Sequence, residues 1–209
     1  MASEGEMSQI KAVIFDLGGV LYRFRDYKAF IGLLNKAHTD PVIREKVLAW
    51  ETGDVSTEAV RDILEDGIGK LPDDVSSLED VPFESVMGKP FDKIWDSIDK
   101  LRENKVKVAM LTNNGWWTDK KEKSTIISNT EKFDVIVESC RVGLRKPDPK
   151  IFDIVLQKLN LKPNECVFID DLPNNVEGAS KLGINAIQMV DGNEDLVLNK
   201  LSSYTGIKF

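Results

Sequence analysis

Lys11-Ala12-Val13-Ile14-Phe15-Asp16-Leu17-Gly18-Gly19-Val20-Leu21 is a short apolar run that ends on a carboxylate and then on two glycines. The unbroken apolar segment Ala12 to Phe15 fits a strand buried on both faces, as in a parallel sheet. Asp16 stands at the C-terminal end of that strand, where open α/β sheets gather their ligand-binding groups. Gly18 and Gly19 let the chain turn tightly and bring main-chain groups close to whatever Asp16 addresses. The same residues also suit a plain strand followed by an Asp-Gly turn. The rest of the chain decides between the two readings.

From Pro90 onward the pattern alternates helix and strand, the mark of a parallel sheet covered by helices. The sequence predicts a helix over Pro90 to Glu103, a strand over Lys107 to Thr112, a helix around Lys120 to Asn129 and a strand over Val135 to Glu138. A helix opening at Asp148-Pro149 leads to a strand over Val167 to Asp170. Asn174 to Leu182 reads as helix, Ala186 to Val190 as a last strand, and Glu194 to Ser203 as a closing helix. The fold class expected is a Rossmann-like α/β parallel sheet with helices on both faces and an α-helical insertion after the first strand.

That insertion begins near Arg23. Asp26 caps a helix running to His38, with Phe30, Leu33 and Leu34 on one face. Asp40-Pro41 opens a second helix to about Glu51, since proline is favoured at the first helical position. Gly53 ends it, and Ser56 caps a third helix carrying Val60, Ile63 and Leu64 at helical spacing. The stretch Leu71 to Gly88, with Pro72 and Pro82, reads as loop with one weak helix.

At 209 residues the chain suits one domain with a sizeable insertion, and 42% hydrophobic with 30% charged residues describes a globular protein. No apolar run approaches the roughly 20 residues that span a bilayer, and Met1 to Gln9 is too short and polar for a signal peptide. A cytoplasmic protein without a membrane partner is expected. A formal charge of −7 disfavours nucleic acid as a partner. Cys140 and Cys166 lack metal-type spacing and read as buried free thiols. The only histidine, His38, reads as a helix-end residue without catalytic role, and Trp116 and Trp117 as packing between insertion and sheet.

Three further polar clusters fall at predicted strand ends. Leu111-Thr112-Asn113-Asn114-Gly115 offers a hydroxyl and turn-forming amides; Gly143-Leu144-Arg145-Lys146-Pro147-Asp148 holds a cation just before a proline-capped helix; Ile169-Asp170-Asp171-Leu172-Pro173-Asn174-Asn175 sets two carboxylates beside a helix start. A strand order that joins these ends collects three carboxylates, an ammonium and a hydroxyl in one crevice. Three adjacent carboxylates need a cation to stay ionised, and hard oxygen ligands select magnesium.

With these four clusters in this order, the chain resembles the haloacid dehalogenase (HAD)-like superfamily of phosphohydrolases. The resemblance covers Lys11 to Leu21 and Lys107 to Val190, and implies a core of residues 10–22 and 90–209 with a helical cap over 23–89. It makes Asp16 the nucleophile that becomes an aspartyl-phosphate, and gives Thr112 and Asn113 the phosphoryl oxygens. It also implies that Lys146 neutralises charge and that Mg2+ is held by Asp16, Asp171, the Gly18 carbonyl, Asp170 and Asn175. Arg23 is a candidate substrate clamp, weighed against a solvated surface arginine.

One departure matters. Phosphatases of this kind usually carry a second Asp two positions after the nucleophile to protonate the leaving oxygen, and here that position is Gly18. Acid–base catalysis contributes about 10² to 10⁴-fold, so the expected activity is a slow phosphatase of a small phosphorylated metabolite, restricted to activated esters such as sugar 1-phosphates or acyl phosphates. Asp26 and Glu51 are open as replacements for the missing acid. Two alternatives stand beside this reading: a catalytically silent phosphate-binding or scaffolding domain, and a 2-haloacid dehalogenase. The physiological substrate and the oligomeric state stay open at this point.

Overall fold

The computed structural model describes residues 9–71, 87–127 and 129–209. Five parallel strands form one sheet: β1 (Ala12–Phe15), β2 (Lys107–Thr112), β3 (Val135–Glu138), β4 (Cys166–Asp170) and β5 (Asn185–Gln188), in the order β3-β2-β1-β4-β5. Alternation along β1 feeds two cores. Val13 and Phe15 enter one with Ile94, Ile98, Val197 and Leu201, from helices α4 (Asp92–Glu103) and α8 (Glu194–Thr205). Ala12 and Ile14 enter the other with Ile151, Phe152, Val155 and Ala179, from α6 (Pro149–Leu159) and α7 (Pro173–Lys181). Every residue of β1 is buried, as expected of a strand covered on both faces.

Between β1 and α4 come α1 (Tyr27–Thr39), α2 (Pro41–Glu51) and α3 (Arg61–Ile68). Asp26 caps α1 through the Ala29 amide, and Asp40 caps α2, with Pro41 opening its first turn. These helices share a small core of Leu33, Val60, Leu64 and Leu71, against which Trp50 and Trp117 pack. Residues 72–86, most of the stretch expected to be loop with a weak helix, lie outside the described residues.

Two local expectations are corrected. Segment 120–127 is not helical: Trp116 bridges Ser124, and the Trp117 amide donates to the Lys123 carbonyl, so the chain doubles back as a loop. Ser56 does not cap α3. A 3-10 turn over Glu58–Val60 intervenes, and the buried Ser56 hydroxyl has no hydrogen-bond partner. Cys140 and Cys166 are buried free thiols, and burial pushes both up to about 12. No helix among the described residues is long and apolar enough to cross a membrane.

The helical segment meets the sheet where Gly53, at φ +78°, lies against α5 (Ser139–Val142); a Cβ there would come 2.3 Å from the Cys140 carbonyl oxygen. Gly32, in the middle of α1, has open space around it. Gly53→Ala therefore loses at least about 1–3 kcal/mol from backbone strain alone, whereas Gly32→Ala gains about 0.5–1 kcal/mol from helix propensity. Urea denaturation of the two variants checks the opposite signs.

Candidate active site

The strand order sets the C-terminal ends of β2, β1 and β4 side by side, so Thr112, Asp16 and Asp170 emerge as neighbours. Lys146 arrives from the loop before α6, whose start is fixed by Asp148 accepting the Lys150 amide and by Pro149 in the first turn. The lysine is 1% exposed. Its Nζ lies 2.7 Å from Asp16 Oδ1 and 2.7 Å from Asp170 Oδ2, and donates to the Leu111 carbonyl at 2.9 Å. Asn113 holds the lysine's backbone from both sides, accepting from the Lys146 amide at 2.9 Å and donating to its carbonyl at 3.1 Å.

Asp16 Oδ1 also accepts the Leu17 amide at 2.7 Å, so that oxygen has two donors and Oδ2 takes part in neither contact. Asp170 is fully engaged: Asn175 donates to both its oxygens, the Leu172 amide to Oδ1 and Lys146 to Oδ2. Asp171 differs. Its Oδ2 is buried without a partner, and one carboxylate oxygen from each of Asp16, Asp170 and Asp171 lies within 4.8 Å of the others. Gly19, at φ +72°, passes beneath this carboxylate; a Cβ there would stand 2.5 Å from Asp171 Cγ.

The charges do not balance, since three carboxylates face one ammonium. Burial opposes the charge on Lys146, but Asp16 and Asp170 outweigh it and hold the lysine protonated. Burial pushes Asp16 up; Lys146 pulls it back, and Asp170 and Asp171 push again. Asp171 rises to about 7, through burial first and then the neighbouring Asp170. Two uncompensated negative charges and an unpartnered buried oxygen fit a divalent cation held by oxygen ligands.

A cavity of about 170 Å³ opens over Asp16, with Thr112, Asn113, Lys146, Asp171 and Asn175 at its base. Thr112 is buried, and its hydroxyl makes only a 3.5 Å contact to the Asn113 carbonyl. Arg23 does not join this group. It is 45% exposed, paired with Glu194 and stacked on Phe91, and it lines a neighbouring recess with Gly19 and Asp171. Asp26 is spent as a helix cap.

Gly18 lines the cavity and, unlike Gly19, has no positive φ. A Cβ on it would lie 2.9 Å from Cζ of Phe24, whose ring is stacked on Phe30 at 3.7 Å. Phe24, packed on Phe30, stands where a side chain at this position would enter, so its ring would have to shift to admit one. The pair's signal in the sequence, two phenylalanines flanking the Asp26 cap, is indistinguishable from ordinary helix packing.

Glu51, at the end of α2, reaches the cavity wall and pairs with Arg145 of the Lys146 loop. Burial pushes its carboxyl up and Arg145 pulls it back. Behind Thr112, Asn114 donates to Glu138 at 2.8 Å and receives the Cys140 thiol, while its amide donates to the Ser139 hydroxyl at 2.9 Å. No sequence pattern pointed to this supporting network, because its members are distant in sequence and each is a common polar type.

The raised Asp171 carboxyl makes stability depend on pH. Its folded value of about 7 lies above the ordinary 3.8, so the folded state holds the proton that the unfolded state releases. That stability is complete below about pH 4 and is lost as pH rises towards 7, by roughly 4 kcal/mol at most. Metal-free protein should lose stability over this window in chemical denaturation, and Asp171→Asn should make the slope shallower while leaving the share that the raised Asp16 and Glu51 carboxyls contribute.

The model of the family "haloacid dehalogenase-like hydrolase" matches residues 10–183. Acyl-CoA dehydrogenase family member 10 of Mus musculus is 31% identical over 193 residues; the match takes in 86% of this chain, which spans only 18% of the mouse protein's length. A phosphorylated carbohydrates phosphatase of Thermotoga maritima is 26% identical over 185 residues, covering 85% of this chain and 84% of that protein. A HAD family enzyme of Bacteroides thetaiotaomicron, solved in complex with magnesium and inorganic phosphate, superposes with a TM-score of 0.57 at 29% identity, over 86% of this chain and 93% of that one. With a family match over most of its length, the parallel sheet and the strand-end cluster of Asp16, Lys146, Asp170 and Asp171, the chain belongs to the haloacid dehalogenase-like hydrolases.

Proposed function

We propose that this chain is a magnesium-dependent phosphohydrolase that cleaves a small phosphorylated metabolite through an aspartyl-phosphate on Asp16. The observation that carries the proposal is the charge imbalance: three buried carboxylates share one lysine, and Asp171 Oδ2 has no partner. The phosphatase from Thermotoga maritima and the Bacteroides enzyme that binds magnesium and phosphate support it.

Asp16, Asp171 and the Gly18 carbonyl, which takes no part in the hydrogen bonds of its turn, are the groups that would hold the ion. Asp170 and Asn175 orient Lys146 and the Asp171 turn. When bound, magnesium offsets the repulsion between a dianionic phosphate and the carboxylates around it.

Asp16 Oδ1 is held by Leu17 and Lys146, leaving Oδ2 to form the bond to phosphorus as the bond to the leaving oxygen breaks. Lys146 and the Thr112 hydroxyl stabilise the phosphoryl oxygens. Water then cleaves the acyl phosphate and regenerates Asp16. Because Gly18 brings no acid, Glu51 supplies the leaving group's proton and takes one back from the attacking water; besides Asp16 and Asp171 it is the only carboxyl on the cavity wall among the described residues. The helices around α1 to α3 act as a cap over the site, with Trp116 tying them to the core by accepting the Thr57 amide and donating to the Cys140 carbonyl.

Asp16→Asn keeps the shape of the side chain but abolishes hydrolysis of every ester. Glu51→Gln lowers turnover of alkyl phosphates by about 10² or more while sparing nitrophenyl phosphate, whose leaving group departs without a proton. Steady-state assays with both ester types, with and without magnesium, decide the matter. Parent-like turnover by Asp16→Asn removes the nucleophile from this account, and equal effects of Glu51→Gln on both esters remove the acid.

A further inference from the structure

The wall of the cavity above the phosphate-binding base is largely apolar. Phe30, Leu33, Leu34, Leu64, Ile68 and Trp117 face it, all from the helical segment or the loop packed against it. The polar side chains on this upper wall, Thr57, Thr125 and Glu51, each already have one protein partner. Thr57 Oγ accepts the Trp50 indole N–H at 2.9 Å, Thr125 Oγ accepts the Gly115 amide at 3.2 Å, and Glu51 is paired with Arg145. A hexose seated here would find few donors and acceptors for its hydroxyls among the apolar side chains, and burying an unpaired hydroxyl is unfavourable.

Size gives a second, independent limit. The cavity holds about 170 Å³, close to the roughly 150 Å³ of an apolar protein cavity that takes up benzene. The phosphoryl group takes the base of that space, and what is left among the described residues holds one hydrocarbon ring at most.

We propose that the substrate of this site is the phosphate monoester of a compact hydrophobic alcohol or phenol, about the size of one ring, rather than a sugar phosphate. This rests on the phosphohydrolase reading and goes beyond it by assigning the organic half of the ester. The phosphoryl group sits on Asp16, Thr112 and Lys146, and the organic group lies against α1 and α3. Phe24 and Met87, which close over Gly18, extend the same apolar surface down to the reacting end.

The test uses non-hydrolysable phosphonates on the magnesium-loaded chain, so that binding is read apart from turnover. By calorimetry, phenylphosphonate should bind at least about tenfold tighter than methylphosphonate, the scale of discrimination that apolar pockets reach. Ala37 faces the cavity from α1, and Ala37→Leu exchanges two good helix formers while filling the space. It should erase the advantage of the phenyl group and leave methylphosphonate binding unchanged; Val47→Phe, from α2, gives the same readout if the first variant melts early. Phenyl phosphate should also exceed glucose 1-phosphate in kcat/KM. Equal affinity for the two phosphonates, an advantage that survives both filled cavities, or faster hydrolysis of glucose 1-phosphate would overturn the assignment and leave the phosphohydrolase intact. Failure of inorganic phosphate itself to bind would overturn both.

Discussion

A buried lysine held between two carboxylates is the contact on which the rest of this structure depends. Lys146 touches Asp16 and Asp170 at 2.7 Å each and is withdrawn almost completely from water. Taking these charges out of solvent is expensive, and only close pairing offsets it; removing one partner of such a set typically costs about 3–5 kcal/mol. That demand organises its surroundings. Asn113 clamps the lysine's backbone, Asn175 and the Leu172 amide saturate Asp170, and the Leu17 amide fixes Asp16. What these bonds leave over is a negative excess at Asp171, and an excess of that kind is where a cation and then a phosphate become favourable.

The parallel order of the strands makes this arrangement possible. β1 lies between β2 and β4, so three residues that are far apart in sequence reach one edge of the sheet together. The helices between β1 and α4 have a separate small core and turn its neighbouring face into the wall of the cavity. Arg145 and Lys146 are adjacent, yet one reaches up to Glu51 and the other down to Asp16. A single loop thus links the helical segment to the charge cluster.

Much of this was legible in the sequence because the signals were local. Four apolar residues before Asp16 identify β1, and Asp26, Asp40-Pro41 and Asp148-Pro149 mark helix starts within a residue of where they occur. The four strand-end clusters bring Asp16, Thr112, Asn113, Lys146, Asp171 and Asn175 to one cavity, with Asp170 buried beside Asp16 and Asp171. Long-range pairing hid the rest. The lysine-rich segment 120–127 has helix propensity, but Trp116 and Trp117 bind it back on itself, and tertiary contacts override propensity. Arg23 sits near Asp16 in sequence, yet its side chain turns towards Glu194 and Phe91. Glu51 was one of two acids open to replace the missing one, and only the fold separates it from Asp26. Gly18 looked like backbone freedom; in space it is the place where Phe24 lies.

The central claim is that Asp16 carries the phosphoryl group during turnover, and trapping that intermediate tests it most directly. Acid quenching during turnover of an aryl phosphate with magnesium, followed by peptide mass analysis, should find one phosphoryl group on the segment around Asp16, labile at alkaline pH as an acyl phosphate is. Turnover that continues with that peptide unmodified, or with the phosphoryl group on another residue, would contradict the account.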